Sequence, residues 1–213
     1  MKFKYVIWDW NGTLFDDVKL SIDAMNGMLE IGGYPQRHNA KSYREVFCFP
    51  IIEYYRRVGF DFEKHPFSQL AQQFIDLYEP AHKKAKLYEG AEEVLEKLEK
   101  AGTVQTIISA CEKKRLNTQI DFFGIRKYLE NVLGIDDNYA NSKVLLAQEW
   151  IKEKQIDPHD VVFIGDTGHD FEVASALGCE CILVSKGHQC RELLEKNGAA
   201  VIEDIADAVD LIL

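Results

Sequence analysis

The sequence predicts an α/β fold: a doubly wound parallel sheet forms the core, and a small all-helical segment is inserted into it. Short apolar runs typical of buried strands, such as Val161–Ile164, alternate with helical segments along most of the chain. This alternation favours a parallel sheet covered on both faces. Residues 16–84 show a helical pattern instead. We therefore expect a core domain of residues 1–15 and 85–213 and a helical cap domain of residues 16–84.

The individual elements follow in order. The first strand is Tyr5–Trp8, and the helix after it carries apolar residues three or four positions apart until Gly32-Gly33 ends it. The stretch from Tyr34 to Tyr88 is helical throughout in this interpretation, with breaks at Pro50 and between Gly59 and Pro66. Later strands are predicted at residues 104–108, 131–135, 161–164, 181–184 and 200–202, and a helix is predicted at residues 142–154.

Composition excludes several classes of protein. The chain has 213 residues, 46% hydrophobic and 28% charged, which is too apolar for a disordered chain and too charged for a membrane protein. The net charge is −10 and the Lys and Arg residues are scattered, so we expect no nucleic-acid partner. No apolar run approaches the ~18 residues of a membrane span, and none at the start suits a signal sequence. The five cysteines lack a zinc-binding pattern and are expected to be free thiols in the cytoplasm.

The first candidate site is Asp9-Trp10-Asn11-Gly12-Thr13, directly after the first strand. Asn-Gly between apolar runs also indicates a β-hairpin, and the segment alone leaves both interpretations open. Asp9 can be functional in either case, because α/β sheets bind ligands at the carboxyl ends of their parallel strands.

The second candidate site is Gly165-Asp166-Thr167-Gly168-His169-Asp170. Asp166 and Asp170 are four residues apart at a strand-to-helix junction, so both can face one point. Clustered carboxylates repel each other unless a cation lies between them, and oxygen ligands suit Mg²⁺ better than Zn²⁺. A helix N-cap would explain one aspartate but not the second.

Two further candidates are weaker alone. Ser109 follows a predicted strand, where its hydroxyl and nearby backbone N–H groups could hold phosphate oxygens, although a Ser N-cap is an equally good interpretation. Lys143 lies at the start of the helix before the strand that leads to Asp166. An isolated lysine is usually solvated, so Lys143 gains meaning only beside the other candidates.

Taken in chain order, these four segments resemble the four motifs of the haloacid dehalogenase superfamily of phosphohydrolases. The family's D-x-D-G-T motif is similar to residues 9–13, its strand ending in Ser or Thr fits Ser109, its lysine fits Lys143, and its G-D-x-x-x-D motif fits residues 165–170. The helical segment resembles the cap of the phosphoglycolate phosphatase-like branch, and Leu87-Tyr88-Glu89-Gly90 resembles its return to the core. The resemblance implies a Rossmann-like core and a phosphatase of small phosphorylated metabolites.

The resemblance also implies an aspartyl-phosphate mechanism. A cation between the attacking carboxylate and the phosphate ester removes their repulsion. The implied Mg²⁺ ligands are Asp9, the backbone carbonyl of Asn11, Asp166 and Asp170. The implied catalytic residues are Asp9 as nucleophile, Asn11, Ser109 and Lys143. The implied phosphate-binding residues are Asp9, Gly12, Thr13, Ser109, Ala110 and Lys143.

Asn11 departs from the family pattern, which has an aspartate there as general acid and base. An amide cannot pass on a proton, and a positioned acid–base group is worth about 10²–10⁴ in rate. We therefore expect Mg²⁺ and phosphate binding to be intact but turnover of ordinary phosphomonoesters to be slow. Esters with good leaving groups should be affected least, and Asn11→Asp should raise turnover. His169 is a second possible source of the proton, or a partly buried residue without a catalytic role.

Asn11 leaves two other classes open. One is C–P bond cleavage through a Schiff base on a cap lysine, for which Lys41 and Lys64 are available; the other is a regulator that binds a phosphorylated ligand. The cap residues that set specificity and the oligomeric state stay open. Four cap residues either contact an anionic part of the substrate or are solvated residues on cap helices: Arg44, Arg56, Arg57 and His38. Phe47 and Phe49 are candidates for the entrance or for packing.

Overall fold

A six-stranded parallel sheet forms the centre of the protein. The computed structural model describes residues 1–135 and 142–213, without the side chains of residues 82, 83 and 142. The strand order is β5-β4-β1-β6-β7-β8, and every pairing is parallel. The strands of this sheet are β1 (Tyr5–Trp8), β4 (Val104–Glu112), β5 (Asn131–Ile135), β6 (Val161–Gly165), β7 (Glu180–Val184) and β8 (Ala200–Ile202).

Helices connect the strands and supply the segment inserted after β1. The α-helices are α1 (Val18–Ile31), α2 (Ala40–Val46), α3 (Ile51–Val58), α4 (Phe67–Tyr78), α5 (Ala91–Lys100), α6 (Lys113–Phe123), α7 (Ser142–Lys154), α8 (Gly168–Leu177), α9 (Arg191–Leu194) and α10 (Ala208–Ile212). Short 3₁₀ turns cover Glu79–Lys84, Ile125–Tyr128, Pro158–Asp160, Glu195–Asn197 and Ile205–Asp207. None of the helices in the described part of the chain combines the length and the apolar character that a membrane span requires.

Alternating strand residues build a core on each face of the sheet. Val6 and Trp8 pack on one face with apolar residues of α5, α6 and α10. Ile7 and Phe163 pack on the other face with residues of α7 and α8. Because a strand points successive side chains to opposite faces, a strand buried on both faces is a continuous apolar run. The predicted doubly wound parallel sheet is confirmed.

Helices α1 to α4 share an apolar core of their own. It includes Met25, Tyr43, Tyr55 and Leu70, all buried. This separate core supports the division into a core domain and a cap domain of residues 16–84, which stays a prediction. We call residues 17–85 the helical insert below.

A two-stranded antiparallel sheet lies where the helical insert leaves and rejoins the core. Its strands are β2 (Phe15–Asp16) and β3 (Lys86–Leu87). The prediction that residues up to Tyr88 are helical throughout is therefore wrong for β3. Two residues are too short to show a period, and they are extended because they pair with a distant segment.

The Asn11-Gly12 segment makes a tight turn but no hairpin with the first strand. Both partners of β1 are parallel, β4 and β6. After Trp10 the chain folds back on itself, since the Gly12 N–H donates to the Phe15 carbonyl at 2.9 Å and the Phe15 N–H donates to the Trp10 carbonyl at 3.0 Å. Gly12 has a φ of +76°, a conformation that favours glycine. The hairpin interpretation is wrong, and Asp9 stays at the carboxyl end of a parallel strand.

Candidate active site

Adjacent strands bring the predicted segments together. Asp9 follows β1, Asp166 follows β6, and Ser109 lies near the end of β4, on the other side of β1. A cavity of about 600 Å³ lies between this edge of the sheet and the helical insert. The predicted site residues that line it are Asp9, Asn11, Ser109, Ala110, Lys143, Asp166 and Asp170.

Three buried carboxylates meet at one point of the cavity. Asp9, Asp166 and Asp170 each offer an oxygen, and these atoms lie within 4.8 Å of one another. Burial raises the pKa of Asp166 to about 8, and burial also raises the pKa of Asp9 to about 6 although Lys143 opposes the shift. Buried like charges of this kind are stabilised by a cation, and an all-oxygen donor set suits Mg²⁺. These residues therefore fit the implied metal.

Lys143 lies between two of these carboxylates. Its Nζ donates to Asp9 Oδ1 at 2.5 Å and to Asp170 Oδ1 at 2.6 Å. Burial alone would lower the pKa of Lys143, but the two carboxylates outweigh burial and raise it, so the lysine is charged. The Lys143 side chain is only 3% exposed, so the interpretation of Lys143 as a solvated surface lysine is wrong.

Asp170 has a second role at the start of α8. Its Oδ2 accepts hydrogen bonds from the Thr167 N–H at 3.0 Å and the Thr167 hydroxyl at 2.7 Å, as part of a capping box. The other oxygen bonds Lys143. The cap and the carboxylate cluster are therefore compatible, since each uses a different oxygen.

Ser109 is buried and does not cap the following helix. Its Oγ accepts the Cys111 N–H at 3.1 Å, which leaves the hydroxyl hydrogen for another acceptor. The N-cap of α6 is Glu112, whose side chain accepts the N–H groups of Lys114 and Arg115. The N-cap interpretation of Ser109 is therefore wrong, and its phosphate-binding role stays a prediction.

Gly12 and Thr13 hold Asp166 in place. The Thr13 hydroxyl donates to Asp166 Oδ1 at 3.1 Å. Gly12 packs directly on the Asp166 carboxylate, where a Cβ atom would overlap it, and its N–H also donates to Asp17 Oδ1 at 3.0 Å. These polar groups are used within the protein, so the predicted role of both residues in phosphate binding stays a prediction.

A polar network around Asn11 was not predicted from the sequence. Asn11 Nδ2 donates to Asp17 Oδ2 at 2.9 Å and lies 3.1 Å from the Tyr78 hydroxyl, which itself donates to Asp17 Oδ2 at 2.6 Å. Burial favours a raised pKa for Asp17, but the charge of His188 and hydrogen bonds from His188, Tyr78 and Asn11 outweigh it and lower the pKa. A carboxylate thus stands next to the amide at position 11.

His188 connects this network to the helical insert. Its Nε2 lies 3.2 Å from Asp17 Oδ1, its Nδ1 lies 2.7 Å from the Tyr43 hydroxyl, and its backbone N–H donates to Asp166 Oδ2 at 2.6 Å. Burial lowers the pKa of His188, but Asp17 outweighs burial and the pKa rises to about 9. The loop that carries His188 follows β7, so the rule that located Asp9 and Asp166 could also have found it.

The predicted cap cations lie elsewhere. Arg44 donates to the backbone carbonyls of Lys186 and Gly187, so it fastens the insert to the core. Among the described residues, the cavity lining contains none of Arg44, Arg56, Arg57, His38, Lys41 and Lys64. Phe47 and Phe49 do line the cavity.

His169 lies beside the site. Its Nδ1 is 3.0 Å from Glu172 Oε2, and its ring stacks on Phe49 with centroids 4.6 Å apart. It is absent from the cavity lining that the structure describes, and its role as a source of the proton stays a prediction.

This chain is similar to known proteins over most of its length. Residues 6–184 match the family described as haloacid dehalogenase-like hydrolase. A phosphoglycolate phosphatase of Vibrio parahaemolyticus is 23% identical over 209 residues, covering 94% of this chain and 92% of the relative. Another, from Pseudomonas savastanoi pv. phaseolicola, is 26% identical over 210 residues, covering 95% of this chain and 77% of the relative.

A solved structure of a haloacid dehalogenase-like family protein from Streptococcus pneumoniae has the same fold. Its TM-score is 0.85 at 17% sequence identity, covering 100% of this chain and 99% of that chain. The match of residues 6–184 spans most of the sequence and includes the strands that carry the carboxylates. The chain belongs to the haloacid dehalogenase-like hydrolase family.

Proposed function

We propose that this phosphatase is Mg²⁺-dependent and hydrolyses a small phosphorylated metabolite through a phosphorylated Asp9. One observation carries the proposal: three buried carboxylates and a buried lysine meet in a cavity between the sheet edge and the helical insert. The curated relatives described above are named phosphoglycolate phosphatases. Their name makes 2-phosphoglycolate the first substrate to test.

The proposed reaction has two steps. An Asp9 oxygen attacks phosphorus and the bond to the ester oxygen breaks, so the alcohol leaves and takes up a proton. Water then hydrolyses the acyl phosphate, which returns Asp9 and releases phosphate. Ser109, the Ala110 N–H and Lys143 would hold the phosphoryl oxygens. A Mg²⁺ ion on Asp9, Asp166, Asp170 and the Asn11 carbonyl would supply charge neutralisation.

Asn11 sets the expected rate. Its amide donates to Asp17, so position 11 offers the leaving group no transferable proton. An ester whose alcohol leaves without protonation avoids this loss. We therefore expect aryl phosphates to be hydrolysed faster than alkyl phosphates.

The test is phosphate release from a panel of phosphomonoesters with and without Mg²⁺. Asp9→Asn removes the nucleophile and is expected to abolish release, whereas the matched variant Asp23→Asn, at an exposed position on α1, is expected to keep it. Release that survives Asp9→Asn would refute the proposed nucleophile. Stabilisation by a phosphorylated ligand without any release would instead support the regulator.

The same assay decides on C–P bond cleavage. Release from a phosphonate, lost on substitution of Lys41 or Lys64, would support that class, but both lysines are exposed and Lys64 lies 3.6 Å from Asp61. We also propose a cytoplasmic location, because all five cysteines are free thiols, as is usual in a reducing compartment.

A further inference from the structure

We propose that the substrate carries a bulky, uncharged organic group with an aromatic ring, rather than a short chain ending in a carboxylate. This inference rests on the proposed phosphatase function, because it concerns the part of the same cavity that lies away from the phosphoryl group. It differs from what the names of the curated relatives suggest.

The helical insert covers the cavity with aromatic and aliphatic side chains. Aromatic rings come from α2, α3, α4 and the α2–α3 connection. They include Tyr43, Phe47, Phe49, Tyr54, Phe67 and Phe74. The rings contact one another, for example Phe47 and Tyr54 with centroids 4.9 Å apart. A wall of this kind gains free energy by removing an apolar ligand group from water.

Every cation among the described residues that line the cavity already pairs with an acidic residue. Asp17 is the sole charged residue among the described insert residues that line it. The cations on the core side already face carboxylates: Lys143 faces Asp9 and Asp170, His188 faces Asp17, and Arg115 pairs with Glu79. A carboxylate placed against this wall would lose its hydration and would meet only cations that already pair with acidic groups, which is unfavourable.

The cavity is also large for a two-carbon ester. Its volume of about 600 Å³ lies within the range typical of sites for drug-sized ligands.

The experiment compares three alkyl esters on the unmodified chain with Mg²⁺: 2-phenylethyl phosphate, ethyl phosphate and 2-phosphoglycolate. The first two leave as primary alkoxides of similar basicity, so the missing acid at position 11 affects both alike. We expect kcat/KM for the phenylethyl ester to exceed both others by at least about tenfold, because only its ring is buried against the aromatic wall.

A pair of variants locates the preference in the cavity. Ala71 lies on α4 and lines it. Ala71→Phe fills space and is expected to lower the ratio of kcat/KM for the phenylethyl ester over the ethyl ester by at least about fivefold. The matched variant Ala71→Ser adds one atom and is expected to keep this ratio within about twofold.

The outcomes separate the two proposals. Phosphate release with equal kcat/KM for the three esters, or with 2-phosphoglycolate preferred, would overturn this inference and leave the phosphatase standing. No release from any of these esters, nor from an aryl phosphate, would overturn the proposed phosphatase mechanism. Two phosphonates, which replace the ester oxygen by carbon, then still decide the inference through their effect on the melting temperature. A larger rise with 2-phenylethylphosphonate than with phosphonoacetate supports the inference, and the reverse order refutes it.

Discussion

Replacing Asn11 by the aspartate of the family motif is expected to destabilise the protein. The Asn11 amide nitrogen lies 2.9 Å from an oxygen of the buried Asp17 carboxylate. In Asn11→Asp a second carboxylate takes the place of the donating amide. Two unit charges ~3 Å apart repel by about 5 kcal/mol at an effective dielectric constant of about 20.

Protonation limits this loss and makes it depend on pH. Holding one carboxyl protonated costs about 1.4 kcal/mol for each pH unit above its usual pKa near 3.9. Position 11 is partly exposed, so we expect a loss of about 2–4 kcal/mol at pH 7.5 and of about 1 kcal/mol at pH 5. The sign follows because the folded state raises the pKa of this carboxyl. The protein therefore loses stability as the pH rises above the pKa that the carboxyl has in the unfolded state.

Adding Asp17→Asn is expected to remove the repulsion between positions 11 and 17. The amide at position 17 would donate to the new carboxylate at position 11, and its carbonyl oxygen would still accept the Gly12 N–H. The double variant should recover only part of the stability that Asn11→Asp loses, because the buried pair of His188 with Asp17 stays broken. It should also hydrolyse alkyl phosphates at least about tenfold faster than the native chain, because position 11 then carries an acid–base group.

The assay is urea unfolding in EDTA at pH 5 and pH 7.5 for the native chain, both single variants and the double variant. The four unfolding free energies form a double-mutant cycle, which isolates the interaction between the two positions. An equal loss of unfolding free energy in Asn11→Asp, relative to the native chain, at both pH values would refute the reasoning, and so would additive effects of the two substitutions.

Three further predictions concern the residues around the carboxylates. Mg²⁺ should raise the melting temperature more at pH 8 than at pH 6, because binding needs deprotonated carboxylates and the pKa of Asp166 is raised to about 8; a shift independent of pH would contradict this. Gly12→Ala should lower the unfolding free energy by more than about 2 kcal/mol, because the new Cβ atom would overlap Asp166. The control Gly33→Ala should lower it by about 1 kcal/mol, because Gly33 also has a positive φ but a Cβ atom there would have no atom within 4 Å. Equal losses in urea unfolding would contradict the overlap with Asp166. Lys143→Met should destabilise the metal-free protein by about 3–5 kcal/mol, and Mg²⁺ should reduce the loss; a metal-independent loss would separate the lysine from the ion site.

Much of the site could be predicted because its residues follow strands. Asp9 and Asp166 stand directly after apolar runs, and parallel strands place such positions at one edge of a sheet. The local sequence could not decide between a solvated and a buried Lys143, or between a cap and a cluster role for Asp170. Those answers depend on which residue lies opposite each side chain.

The sequence by itself determined the parallel α/β core, the helical insert and the motif residues, because strand and helix periods and motif spacing are local properties of the chain. Only the tertiary structure decided that Asp17 and His188 adjoin Asn11, that β3 pairs with β2, and that an aromatic wall faces the carboxylates. Asp17 and His188 are 171 residues apart in the sequence, and the two strands are separated by the whole insert. Contacts at such separations leave no periodic signal, since they arise when separate packed elements meet.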